Sequence, residues 1–107
     1  MTFEVVFSGH AKADLEAIFN YVLAHDGVDR AEALLETLYS TSLRLKELPR
    51  RGHLVKELRT TMVVKYREIH YKPYRILYEI RERRVIVHAV LDGRRDLRAF
   101  LEQRLNR

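Results

Sequence analysis

Hydrophobic and polar positions change rhythm several times along the chain. In TFEVVF (2–7), Phe3, Val5 and Phe7 alternate with polar or smaller neighbours, which predicts a short strand. Ser8-Gly9 breaks that rhythm, and Ser8 is placed to cap a helix. From Ala11 to Ala24 the apolar residues Leu15, Ile18, Phe19, Val22 and Leu23 recur at helical spacing. Lys12, Asp14 and Glu16 are assigned to the wet side of that helix. Gly27 is expected to end it in a left-handed cap. Asp29 followed by Glu32 resembles a capping box that opens a second helix. Leu34, Leu38, Leu45 and Leu48 then form one stripe, with Thr41 in the gap, until Pro49 stops it. So short a connection predicts an antiparallel helical hairpin, whose apolar face needs a sheet to lie on.

PRRGHLVKELRTT (49–61) is a basic, irregular connection. Three runs rich in Tyr, Ile and Val follow: Met62–Tyr71, Tyr74–Arg81 and Arg84–Leu91. Their short breaks, Lys72-Pro73 and Glu82-Arg83, predict an antiparallel meander. Proline in second place of a two-residue turn requires either a cis bond or a wider loop, and the wider loop is expected because cis is the minority state. Past VLDGRRD (90–96), Leu97, Phe100, Leu101 and Leu105 predict a terminal helix with Asp96 at its start. The order is β-α-α-β-β-β-α. That is an α+β chain with a small antiparallel-rich sheet, a helical hairpin on one face and a short C-terminal helix.

At 107 residues the chain fits one domain, 1–107, and its 47% hydrophobic and 33% charged residues fit a globular rather than a disordered chain. It has no cysteine, so disulfides and thiolate metal sites are excluded. No apolar run is long enough for a membrane span, and no signal peptide is visible, so a cytoplasmic location is expected. The net charge of +5 is unevenly spread. Residues 1–43 carry two basic residues against seven acids, and residues 44–107 carry eighteen against eight. A region this basic suits an acidic protein or a polyanion. The five histidines show no ligand spacing, so neither a metal site nor another cofactor is expected.

Four blocks in order resemble the RelE/ParE superfamily of bacterial toxins: AKADLEAIFNYV (11–22), LKELPRRGHLVKEL (45–58), YREIHYKPYRILYEI (66–80) and VIVHAVLDGRRD (85–96). The tail GRRDLRAFLEQRL (93–105) resembles the ParE branch. The resemblance implies the toxin of a type II toxin–antitoxin pair, held in a hetero-oligomer by a ParD- or RelB-like antitoxin. It also implies one of two actions. ParE-like members bind DNA gyrase; RelE-like members cut messenger RNA on the ribosome without a metal.

Metal-free RNA cleavage needs a base, an acid and cations around the phosphate. The resemblance gives Arg75 and Arg95 to the phosphate, with Arg67 and Arg94 nearby. The acid and base are harder to place. DLRAFLEQRLNR (96–107) holds no Tyr or His, and Phe100 cannot transfer a proton. His88, His70, Glu68 and Tyr71 can titrate, but none matches a family catalytic position. Gyrase binding is therefore favoured, through Arg94, Arg95, Arg98 and Phe100. The alternatives are an RNase using Arg67, Arg75, Arg95 and His88, and a member that only binds its antitoxin. Leu35 and Tyr39, off the main helical stripe, are candidates for antitoxin contact together with Arg67 and Arg75.

Each candidate also has a plainer reading. Arg94 and Arg95 can pair with Asp92 and Asp96, and Arg75 with Glu68 or Glu79. Tyr66, Tyr71, Tyr74 and Tyr78 interleave with Lys65, Arg67, Lys72 and Arg75, as in a stacking surface for nucleic acid, yet tyrosine is also simply a good strand residue. His88, inside an apolar strand, reads more naturally as a half-buried, hydrogen-bonded residue than as a general base.

Overall fold

A computed structural model describes residues 2–56, 66–94, 98 and 104. The first strand, β1 (Glu4–Phe7), leads into two consecutive helices, α1 (Gly9–Asp26) and α2 (Val28–Leu43). After a 3-10 turn at Arg44–Lys46 come β2 (His53–Leu54), β3 (Arg67–Tyr71), β4 (Tyr74–Arg81) and β5 (Arg84–Asp92). The five strands form one sheet in the order β1-β5-β4-β3-β2. β1 runs parallel to β5, and the other pairs are antiparallel. The α+β reading and the helical hairpin on a largely antiparallel sheet hold. The two-residue β2 lies within the stretch read as irregular. The expected strand over 62–65 and the terminal helix fall outside the described residues, apart from Arg98 and Arg104, whose backbone is helical. Among the described residues no helix is long and apolar enough to cross a membrane.

Ser8 does two jobs where strand becomes helix. Its hydroxyl accepts from the Ala11 amide at 3.1 Å, which caps α1. Its own amide donates to the Val87 carbonyl at 2.9 Å, which fastens the helix start to β5. Gly27 closes α1 and opens α2 at φ 95°, a backbone region that favours glycine. The expected Asp29–Glu32 capping box is corrected: α2 begins one residue before Asp29, and its cap position, Gly27, has no side chain to accept from a first-turn amide. Asp29 sits instead in the first turn, where its charge complements the helix dipole.

The core lies between the hairpin and one sheet face. Leu15 and Leu38, with Leu45 from the 3-10 turn, meet Ile76, Tyr78, Val85, Val87 and Val90 there. The spacing 85, 87, 90 skips a residue because β4 and β5 shift register beside Leu77/Tyr78. Leu77 pairs with Ala89 and Tyr78 with Val87, which leaves His88 as the extra residue of the bulge. Leu48 and Leu23 do not join the core; they are 61% and 40% exposed. α2 gives way at Leu43 to the tighter 3-10 turn, six residues before Pro49. That turn rotates Leu48 off the stripe.

Two further expectations are revised. Lys72-Pro73 is cis and forms a two-residue turn between Tyr71 and Tyr74, so the wider loop is not used. Asp14 is not a solvent residue. Its carboxylate accepts the Val90 amide at 2.9 Å and both terminal nitrogens of Arg104 at 3.0 and 3.1 Å. A side chain from the first helix thus ties the last strand to position 104.

Candidate functional site

Strand alternation sends Glu68 and His70 of β3, and Arg75 and Glu79 of β4, to the face away from the hairpin. Tyr66, Glu68 and His70 line up along one side of the β3 region, and Arg75 and Glu79 along β4. Glu68 is the hub. Its side chain is only 3% exposed and receives the Arg75 guanidinium through Nε at 2.5 Å and Nη2 at 2.8 Å. His70 Nε2 lies 2.9 Å from the same carboxylate, and His53 Nδ1, from β2, lies 3.9 Å away. A paired, hydrogen-bonded carboxylate tolerates burial that a lone one would not.

A second buried carboxylate, Glu79, holds His88 Nε2 at 2.6 Å and Arg81 at 3.1 Å. The Tyr66 ring meets the His88 ring edge-on, with centroids 5.5 Å apart. Burial pushes the Tyr66 phenol above its ordinary range, and the Glu79 charge adds to the rise. His88 is thus the half-buried, hydrogen-bonded residue of the plainer reading, aimed by the bulge at a carboxylate.

The arginines divide by task. Arg67 donates to the Gly52 carbonyl at 2.8 Å and holds the loop before β2. Arg75 is engaged by Glu68, the first of its two plainer readings. Arg94 stands exposed past β5 and grips Asp92 through Nε at 3.0 Å and Nη2 at 2.6 Å. Those hydrogen bonds raise its already high pKa further. Arg98 is exposed. Arg95 and Phe100 lie outside the described residues.

Arg75 and Arg94 nevertheless border one open groove of about 880 Å³, together with Lys56, Lys72, Tyr74 and His70. Four basic side chains on one rim make it a natural seat for acidic groups. The tyrosines do not form a continuous stacking surface. Tyr78 is fully buried and Tyr66 nearly so, while Tyr71 is exposed. On the hairpin, Tyr39 is 40% exposed and packs edge-on against Phe7, while Leu35 is half-buried. Both border a shallow apolar groove of about 320 Å³ with Leu15 and Phe19.

Sequence reasoning missed the central role of Glu68 and Glu79. It also missed that His53, Glu68 and His70 converge, since β2 was not foreseen. The residue spacing Glu68-x-His70 was the available signal, because it puts both side chains on one strand face.

Comparison with known proteins places this geometry. Residues 5–97 match the model of the family described as ParE toxin of type II toxin-antitoxin system, parDE. Toxin ParE3 of Caulobacter vibrioides is 32% identical over 97 residues, covering 91% of this chain and 93% of that protein. The fold is shared with a structure described as the chromosomal ParDE TA system from P. aeruginosa (TM-score 0.69, 15% identity, 83% of this chain and 94% of that one). It is shared as well with the toxin–antitoxin complex RelBE2 of Mycobacterium tuberculosis (TM-score 0.64, 18% identity, 86% and 92%). This chain therefore belongs to the ParE toxin family of type II toxin–antitoxin systems.

Proposed function

We propose that the chain acts by binding DNA gyrase, with no bond chemistry of its own, and that a cognate antitoxin silences it. The observation that carries this reading is how the phosphate-chemistry candidates are occupied. Arg67 serves Gly52, Arg75 serves buried Glu68, and His88 serves buried Glu79. A nuclease needs such groups turned towards substrate. Here they hold the sheet together. Arg94 is paired too, with Asp92, but it projects from the sheet end with its side chain 77% exposed. With Arg95, Arg98 and Phe100 it supplies the proposed contacts to gyrase.

The solved relatives are described as toxin–antitoxin assemblies, which supports an antitoxin partner here. Its helix would lie on the groove beside Leu35 and Tyr39, and an acidic segment would fill the basic groove bordered by Arg75 and Arg94. Arg67, which also donates to the Gly52 carbonyl, stays with Arg75 among the proposed contacts. The proposal places both partners and the toxin in the cytoplasm.

Inducing the chain without its antitoxin tests the reading. DNA-damage signalling and filamentous cells should appear before translation slows. Immediate translation arrest with cleaved messages would replace this reading with the RNase, and unaffected growth would leave only antitoxin binding.

A further inference from the structure

The structure assigns a divalent transition-metal site to His53, Glu68 and His70. This assignment is independent of how the toxin acts. One ligand atom from each residue lies within 4.8 Å of the other two. The arrangement follows from the sheet. Glu68 and His70 are two apart on β3 and share a face, and His53 on β2 is the register partner of Glu68. Two imidazoles and one carboxylate thereby form a triangle on two paired strands.

The spacings suit a metal. Ligand atoms about 2.1 Å from a tetrahedral ion stand roughly 3.4 Å apart. His70 Nε2 stands 2.9 Å from Glu68 Oε1, and His53 Nδ1 stands 3.9 Å from Oε2, the other oxygen of that carboxylate, so an ion held by all three needs His53 to come closer. His53 is 67% exposed, so a modest turn of its ring closes the longer distance. That turn releases a 3.3 Å contact between Nδ1 and the Leu54 carbonyl.

Arg75 acts in two directions. Its two hydrogen bonds fix the orientation of the Glu68 carboxylate, as outer-shell partners of metal ligands commonly do. Its positive charge opposes a nearby cation, which sets the expected affinity in the micromolar range rather than tighter. Each Glu68 oxygen has a second lone pair, so the ion pair and a metal can share the carboxylate. Nitrogen and oxygen donors of this kind select zinc, nickel or copper over calcium or magnesium. The three ligands leave at least one coordination position open. All three residues border both the basic groove and a neighbouring one of about 370 Å³ on the far side of His53 and His70. An open position there would take an acidic group.

The test is a zinc titration of full-length, tag-free protein by calorimetry, with cobalt absorption as a second readout. The expected result is one ion per chain with micromolar affinity and visible cobalt bands of low-symmetry coordination. His53→Ala and His70→Ala, both at exposed positions, should each weaken binding about tenfold or more. His10→Ala and His25→Ala on α1 should leave it unchanged. No saturable binding below millimolar zinc would overturn the assignment, and so would affinity that survives both His53→Ala and His70→Ala. Neither readout depends on gyrase or the antitoxin.

Discussion

Replacing Arg75 by leucine separates a residue that holds the sheet from one kept for a ligand. In the structure its guanidinium faces a Glu68 carboxylate that is 3% exposed, and the arginine side chain is itself only 15% exposed. Removing one partner of a buried pair leaves the other charge without its counter-ion, which costs about 3–5 kcal/mol. His70 Nε2, 2.9 Å from the same carboxylate, offsets part of that as a hydrogen-bond donor. About 2–4 kcal/mol is then expected for Arg75→Leu, a large share of the roughly 5–15 kcal/mol that holds a domain of this size. In urea unfolding at pH 7.5 the midpoint should fall by roughly 1–2 M with little change in slope. Glu68→Leu should cost a similar amount. The double variant should recover to within about 1 kcal/mol of the parent, because apolar pairs replace buried ion pairs with little penalty. An unfolding free energy for Arg75→Leu within about 0.5 kcal/mol of the parent would refute the structural role and return Arg75 to the pool of phosphate ligands.

Gly52→Ala should destabilise by about 2 kcal/mol or more in the same assay, because an added Cβ would stand 2.5 Å from the Glu68 carbonyl and 2.6 Å from the Tyr78 hydroxyl; a neutral result would mean that the loop yields. Burial raises the phenol pKa of Tyr66, Tyr74 and Tyr78, with Glu79 adding to the first and Asp92 to the second. The ionised form is disfavoured in the fold, so this contribution to stability is complete below pH about 10 and is lost as pH rises through the higher folded values. Phenolate absorbance should show three of the six tyrosines lagging the denatured chain, and superimposed titrations would contradict the burial. Asp14→Asn weakens the joint between α1, the Val90 amide and Arg104. Hydrogen exchange of the Val90 amide should quicken by at least about tenfold, and unchanged protection would show that the joint does not hold β5.

Much of the fold could be read from the chain because its apolar spacing matched one period at a time. Val22 and Leu38 are buried as the helical rhythm predicts, and Ser8 caps where the strand rhythm breaks. The failures have local causes. A 3-10 turn rotated Leu48 out, and a bulge at His88 changed which residues of β5 face the hairpin. Asp14 looked like a solvent residue because its partners, Val90 and Arg104, lie 76 and 90 positions away. The exposed end of the candidate site was legible at Arg94 and Asp92, two residues apart. Its buried part was not. Glu68 and Glu79 occupy the polar positions of ordinary alternating strands, and nothing local says that neighbouring arginine and histidine side chains bury them.

The most direct test of a binding rather than a cleaving toxin pairs two assays on one purified sample. Gyrase supercoiling and the integrity of ribosome-bound messenger RNA are followed at equal toxin concentrations. Supercoiling should stop while the transcripts stay whole, and Arg94→Ala should weaken that inhibition. Cut transcripts beside fully active gyrase would contradict the account.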